Sequence, residues 1–160
     1  MTAQDVGGSL LRERDYRRFW AARVLAVAGA GLTAVALPLL AFDRSGGSAL
    51  VTSAVAALQV APYLVLGLLA GALADRLPRR VLMVGAELAC VVALAALGLL
   101  GEHATTVHVL VVALVVPTAF VWFDAAAFGA LPALVGRERL AEANGTLWTA
   151  TTLEIGRAHV

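Results

Sequence analysis

Lysine is absent from this chain of 160 residues, in which all twelve basic side chains apart from histidine are arginine. Without lysine the phosphate-binding pattern GxxxxGK cannot be written, and no catalytic triad or Rossmann fingerprint is present. An ATP-driven pump is therefore unsupported, an enzyme is not expected, and no cofactor is implied. Cysteine is almost absent too: Cys90 stands alone, which excludes a disulfide or a cysteine metal cluster within the chain. Charge is scarce, at 14% of residues against 61% hydrophobic, far outside the range of a soluble globular domain. The use of arginine alone together with abundant alanine points to a GC-rich bacterial genome.

What the chain has in quantity is long apolar runs. A hydrocarbon core of about 30 Å needs about 20 mostly apolar residues in helical form. Four segments qualify, at Phe19–Phe42, Ala49–Ala74, Val81–Leu100 and Val107–Ala127. Arg23 lies near the start of the first, Glu87 inside the third, and the fourth blurs into Asp124–Val135. These runs lack the in–out alternation of a barrel strand, and lipid requires backbone groups to be satisfied internally, so the expected form is helix. The fold class is thus an all-α membrane protein, its partner the lipid bilayer; no nucleic-acid partner is expected.

Arginine placement predicts orientation. With the N-terminus in the cytoplasm, that side holds Arg12, Arg14, Arg17, Arg18, Arg76, Arg79, Arg80, Arg137 and Arg139, whereas the outer loops hold only Arg44. Phe19 and Trp20, and Trp122 at the return of the fourth helix, suit the inner aromatic belt. The polar stretches DRSGGS (Asp43–Ser48) and GEHATT (Gly101–Thr106) read as outer turns. The chain reads as two hairpins with both ends inside.

Met1–Arg18 is a polar cytoplasmic tail with no cleavable signal, so the first span is expected to remain in the protein. At the other end, residues 131–153 read as a cytoplasmic linker and the start of a fifth helix after Asn144. Ile155–Val160 is the translation of ATC GGA AGA GCA CAC GTC, a string from a sequencing-library adapter. Glu154–Val160 is accordingly set apart as a non-native tail, and the chain is expected to be a fragment. The other reading of this end is a genuine polar helix terminus.

The stretch GALADRLPRR (Gly71–Arg80) resembles the signature loop between the second and third helices of the major facilitator superfamily: a Gly, three residues, Asp-Arg, and two further basic residues after a turn. Gly71, Asp75, Arg76, Arg79 and Arg80 carry it, with Pro78 where a Gly is often found, which still makes a turn. RDYRRFWAARVLA, entering the first helix, and LPALVGRERLAEANG (Leu131–Gly145), after the fourth, are similar to the branch that includes enterobactin-type siderophore exporters and macrolide-efflux proteins. The resemblance covers about residues 14–150. It implies a twelve-helix transporter of two six-helix halves built from inverted three-helix repeats and working by alternating access. This chain would supply part of the N-terminal half, and the C-terminal half of the full-length protein would be a partner. In the family the loop helps to lock the outward-facing state, its Asp against a helix terminus of the other half and its arginines in cytoplasmic ion pairs. The chemistry suits that role: a carboxylate is favoured at a helix N-terminus, arginine makes forked pairs, and Gly71 permits a close helix approach. The simpler reading is that the arginines only anchor topology.

Ionisable groups within a span are costly and mark functional candidates. By the rise of about 1.5 Å per residue, Arg23 lies roughly 6 Å and Glu87 roughly 9 Å inside their helices. Asp124 is near the returning inner end of the fourth. Glu87 also shares a helix face with Arg80. We expect Arg23, Glu87 and Asp124 to form an inner charge network continuous with the loop, with Arg23–Glu87 as a pair. The alternatives are that Arg23 snorkels to the headgroups and that Asp124 lies outside the core.

The midplane carries no acid, base or histidine, and Gly29-Ala30-Gly31 stands where many members of the resembling branch have Gly-Asp-Gly. Thr33, Gln59 and Tyr63 are its few polar points. As a cavity wall they suit a bulky amphipathic small-molecule substrate; alternatively, Thr33 and Gln59 bond neighbouring helices and Pro62 kinks the second helix. His103 and His108 make a poor metal site and read as loop or interface residues. The functional expectation is a proton-driven exporter of drugs or siderophores in a bacterial inner membrane. An uptake permease of the same superfamily, or a small four-helix structural or partner-binding membrane protein, are the alternatives.

Overall fold

The computed structural model describes residues 10, 12–74, 76–141 and 143–145. The signature-loop Asp75, the expected fifth-helix start beyond residue 145 and the 154–160 tail lie outside them. Among the described residues the chain is all helical: α1 (Arg14–Arg44), α2 (Ala49–Ala74), α3 (Arg79–Leu100), a 3₁₀ turn (Gly101–His103), α4 (Thr106–Val135) and a second 3₁₀ turn (Arg137–Arg139). Even the shortest long helix, α3 with 22 residues, reaches about 33 Å, enough to cross a bilayer core.

All four are apolar enough to span a membrane, and their side chains are displayed accordingly. Leu68 is 92% exposed, Leu99 90% and Leu64 80%. Water would penalise so much open apolar surface, whereas lipid does not. Proline is tolerated for the same reason. Pro38 and Pro62 sit inside α1 and α2, and beside Pro117 the Thr118 hydroxyl donates back to Leu114 O at 2.6 Å.

Two helices are longer than their apolar runs. α1 starts at Arg14 rather than Phe19, because arginine is a good helix former that continues the helix past its apolar part. α4 runs to Val135 rather than Ala127, the Ala- and Leu-rich FDAAAFGALPALV staying helical through Gly129 and Pro132. Gly136 takes φ 75°, a left-handed conformation that ends the helix.

The chain divides into two compact units, Ala30–Ala126 and Met1–Gly29 with Ala127–Val160. In the first, Leu37 and Ala41 of α1, Val55 of α2 and Val109, Val112, Ala113 and Val116 of α4 form the core, with Cys90, Ala93 and Leu97 of α3 packed against it. The alanines let backbones come close, as membrane helix packing requires. In the second unit Leu10, Tyr16, Leu131, Val135 and Ala143 are buried together, flanked by Phe19, Trp20, Leu134 and Leu140.

The α1–α2 turn is fixed by its own side chains. Ser45 Oγ donates to Phe42 O and accepts from Ser48 N, and Ser48 Oγ accepts from Val51 N to cap α2. Gly47 has φ 88°, a backbone conformation that residues with a Cβ rarely adopt, so the turn favours glycine there.

Candidate functional site

The α2–α3 turn carries the charges singled out in the sequence. α2 ends at Ala74, buried like Ala70 one turn earlier. Arg76 N donates to Leu73 O at 3.0 Å to close the turn, and Pro78 O accepts from Val81 N and Leu82 N. Pro78, with φ −61° and ψ 110°, sits at the N-cap of α3 without a side-chain cap. Arg76 and Arg80 are exposed and Arg79 is half-buried. Arg79 and Arg80 thus stand in the first turn of α3, at the positive end of its dipole, where local helix energetics disfavour a cation. Their placement requires a reason beyond helix stability. At Gly71 an added Cβ would meet nothing within 4 Å, so no described part of the chain makes the close approach that a glycine there permits.

The three in-span charges are all half-buried. Arg23 is half-buried, its guanidinium carbon 5.4 Å from the centroid of the Phe128 ring, a cation–π contact. Glu87 is half-buried on α3, one turn before Cys90, and has no hydrogen-bond or ion-pair partner among the described residues. The cysteine thiol points to α4, with Sγ 3.9 Å from Val116 O. Asp124 is half-buried on α4, next to the stacked pair Phe120 and Phe123, whose centroids are 5.9 Å apart. A salt bridge at Glu87 is therefore not part of this arrangement.

Of the midplane residues, Gln59 Nε2 donates to Thr33 O at 3.4 Å, joining α2 to α1. The Thr33 hydroxyl donates within its own helix to Ala30 O at 2.9 Å. The Gln59 bond thus joins two helices, whereas the Thr33 hydroxyl stays within α1. Tyr63 is 42% exposed. His103 is exposed in its 3₁₀ turn. His108 helps to start a helix, since its Nδ1 accepts from Thr105 N at 3.1 Å and lies 2.8 Å from Thr105 Oγ1. This is one half of a capping box at the start of α4, the backbone N–H bonded to a side chain three residues on, with histidine in the place usually held by Glu or Gln. Among the described residues no group of three His, Cys, Asp or Glu could hold a metal ion.

Three ties could not be anticipated from residue spacing. Arg44 Nη1 donates to Glu102 O at 2.7 Å and reaches Ala104 O at 3.5 Å, while Thr106 Oγ1 donates to Arg44 O at 3.3 Å. Tyr16 Oη donates to Ala143 O at 3.3 Å. Arg139 Nη1 donates to Glu13 Oε1 at 2.7 Å. The last two join the two flanking stretches that carry the family resemblance, Arg14–Ala26 and Leu131–Gly145, or residues beside them. A lone tyrosine among arginines before a span was the available signal. Trp20 packs in the same core with its indole N–H unpartnered among the described residues, and Trp122 is half-buried on α4.

The features define a class, a helical protein with four segments able to span a membrane. No protein-family model, curated protein or solved structure matches the chain.

Proposed function

We propose that these four helices belong to the N-terminal six-helix half of a major facilitator superfamily transporter in a bacterial inner membrane, with the N-terminus and the α2–α3 turn in the cytoplasm. The complete protein exports amphipathic small molecules, such as drugs or siderophores, by alternating access driven by proton exchange. The observation that carries this reading is the Gly71–Arg80 pattern at the turn between two membrane-length helices. Its arginines stand where α3 itself disfavours them, and Gly71 has open space beside it. Both are understandable if the turn meets a second half of the protein, its arginines in ion pairs and its glycine against a helix.

The test is an export assay. The gene is read beyond codon 154 and the product assayed in everted vesicles with an amphipathic drug and, separately, a siderophore. The expected result is substrate movement that a protonophore abolishes and that Asp75→Asn lowers without loss of membrane insertion. A stop codon directly after the described helices, or no gradient-dependent movement of either ligand class, overturns the proposal. Within the same assay, Glu87→Gln is expected to change transport or its pH dependence; an unchanged profile removes Glu87 from the mechanism.

A further inference from the structure

The first turns of α1 sort their side chains onto two faces. Tyr16 is fully buried with Leu10, Leu131 and Val135. Arg23, seven residues later on the same face, turns its guanidinium onto Phe128. Arg14 and Arg18 lie about 160° and about 200° round the helix from Tyr16, and Arg17 flanks them. All three are exposed, and none has a hydrogen-bond or ion-pair partner among the described residues.

The spacing i, i+3, i+4 places these guanidinium groups side by side, where like charges repel. Among the described residues the acids on these turns do not balance them: Glu13 is engaged by Arg139, and the exposed Asp15, three residues before Arg18, offsets one of the three charges. Such a face is completed by a multivalent anion, and guanidinium forks fit phosphate oxygens. Phe19, Trp20 and the apolar run of α1 follow directly in sequence, so the arginines stand at the depth of lipid headgroups, where basic segments beside a span attract anionic lipids.

We infer that Arg14, Arg17 and Arg18 form a binding face for the phosphate of an anionic phospholipid at the membrane edge. This holds whichever way the transport proposal is decided, because it requires only that α1 enters a bilayer.

Trp20, two residues from Arg18, serves as the reporter. The full chain with Trp122→Phe and Trp148→Phe is reconstituted in phosphatidylcholine vesicles doped with brominated phosphatidylglycerol or brominated phosphatidylcholine. At low salt the brominated anionic lipid is expected to quench Trp20 with about fivefold or greater preference per engaged arginine. The preference should vanish toward about 1 M salt, where screening acts over about 3 Å. Arg14→Lys/Arg17→Lys/Arg18→Lys should retain much of it and the triple glutamine variant should lose it. Equal quenching at low salt, or a preference that survives in the glutamine variant, overturns the inference. Abolition by inorganic phosphate at constant ionic strength assigns the face to a soluble anion and overturns it as well. The salt series is read on the unaltered arginines, so it decides even if the glutamine variant fails to insert.

Discussion

The hydroxyl of Tyr16 donates to the carbonyl oxygen of Ala143, 127 residues further along the chain, with both partners buried. The first turn of α1 and a segment following α4 are thereby held at one point, inside a core with Leu131 and Val135. Tyr16→Phe keeps the ring and removes the donor of a buried hydrogen bond, and is expected to cost about 1 kcal/mol or more. Tyr16→Ala also opens a cavity and is expected to cost about 3–5 kcal/mol. Chemical unfolding in detergent micelles measures both, and an unchanged stability in Tyr16→Phe would contradict the hydrogen bond.

The nearby Arg139–Glu13 pair offers a contrast. Its side chains are 36% and 48% exposed, so solvent screening leaves it worth about 0–1 kcal/mol. Arg139→Ala should therefore perturb unfolding far less than Tyr16→Phe, and what effect it has should fade with added salt.

Arg44 is expected to be the most sensitive polar residue at its end of the helices. Its side chain holds carbonyls on both sides of His103, and its own carbonyl accepts from Thr106. Arg44→Ala should cost about 1.5–3 kcal/mol, the range for a hydrogen bond to a charged group. Arg44→Lys should recover only part, because an ammonium lacks the guanidinium fork. Amide exchange at Ala104, Thr105 and Thr106 reads the loosening directly, and unchanged exchange would refute the clamp.

The capping box predicts a rescue. Thr105→Ala should destabilise the start of α4 by about 1 kcal/mol, and His108→Ala by a smaller amount. His108→Glu restores an acceptor at the same position and should recover the loss. The thermal midpoint of helical circular dichroism compares the set; a His108→Glu variant as unstable as His108→Ala would argue against the box.

Gln59 separates two roles for the midplane. If its bond to Thr33 O is all that matters, Gln59→Leu should cost about 0.6 kcal/mol, the mean for interhelical polar contacts in membranes, and leave substrate choice alone. A shift in the ranking of exported compounds at unchanged stability would assign Gln59 to a cavity wall.

The helices were legible because nothing but helix can carry runs such as Ala49–Ala74 through lipid. Their ends were less so. An apolarity criterion stops where charge begins, whereas α1 continues through Arg14–Arg18 with Tyr16 as its inward anchor. The α4 helix likewise passes Asp124 and ends only where Gly136 adopts a left-handed conformation. Contacts such as Arg139–Glu13 were illegible, since partners separated by 126 positions leave no periodic trace. Arg44 stood apart in the expected charge pattern, but its carbonyl partners were not legible, because backbone acceptors have no letter in a sequence. The in-span acids were readable as costly, but their surroundings depend on packing that spacing does not encode.

The Arg44 clamp also sets an order of events during synthesis. Glu102, whose carbonyl it needs, follows it by 58 residues, which at about 5–20 residues per second means roughly 3–12 s of waiting on the ribosome. For that interval α1 and α2 occupy the bilayer with their connecting turn unfastened. The hairpin is therefore open first and closed only when α4 arrives, so a ribosome stalled shortly before Thr106 would leave the α1–α2 turn without its Arg44 fastening.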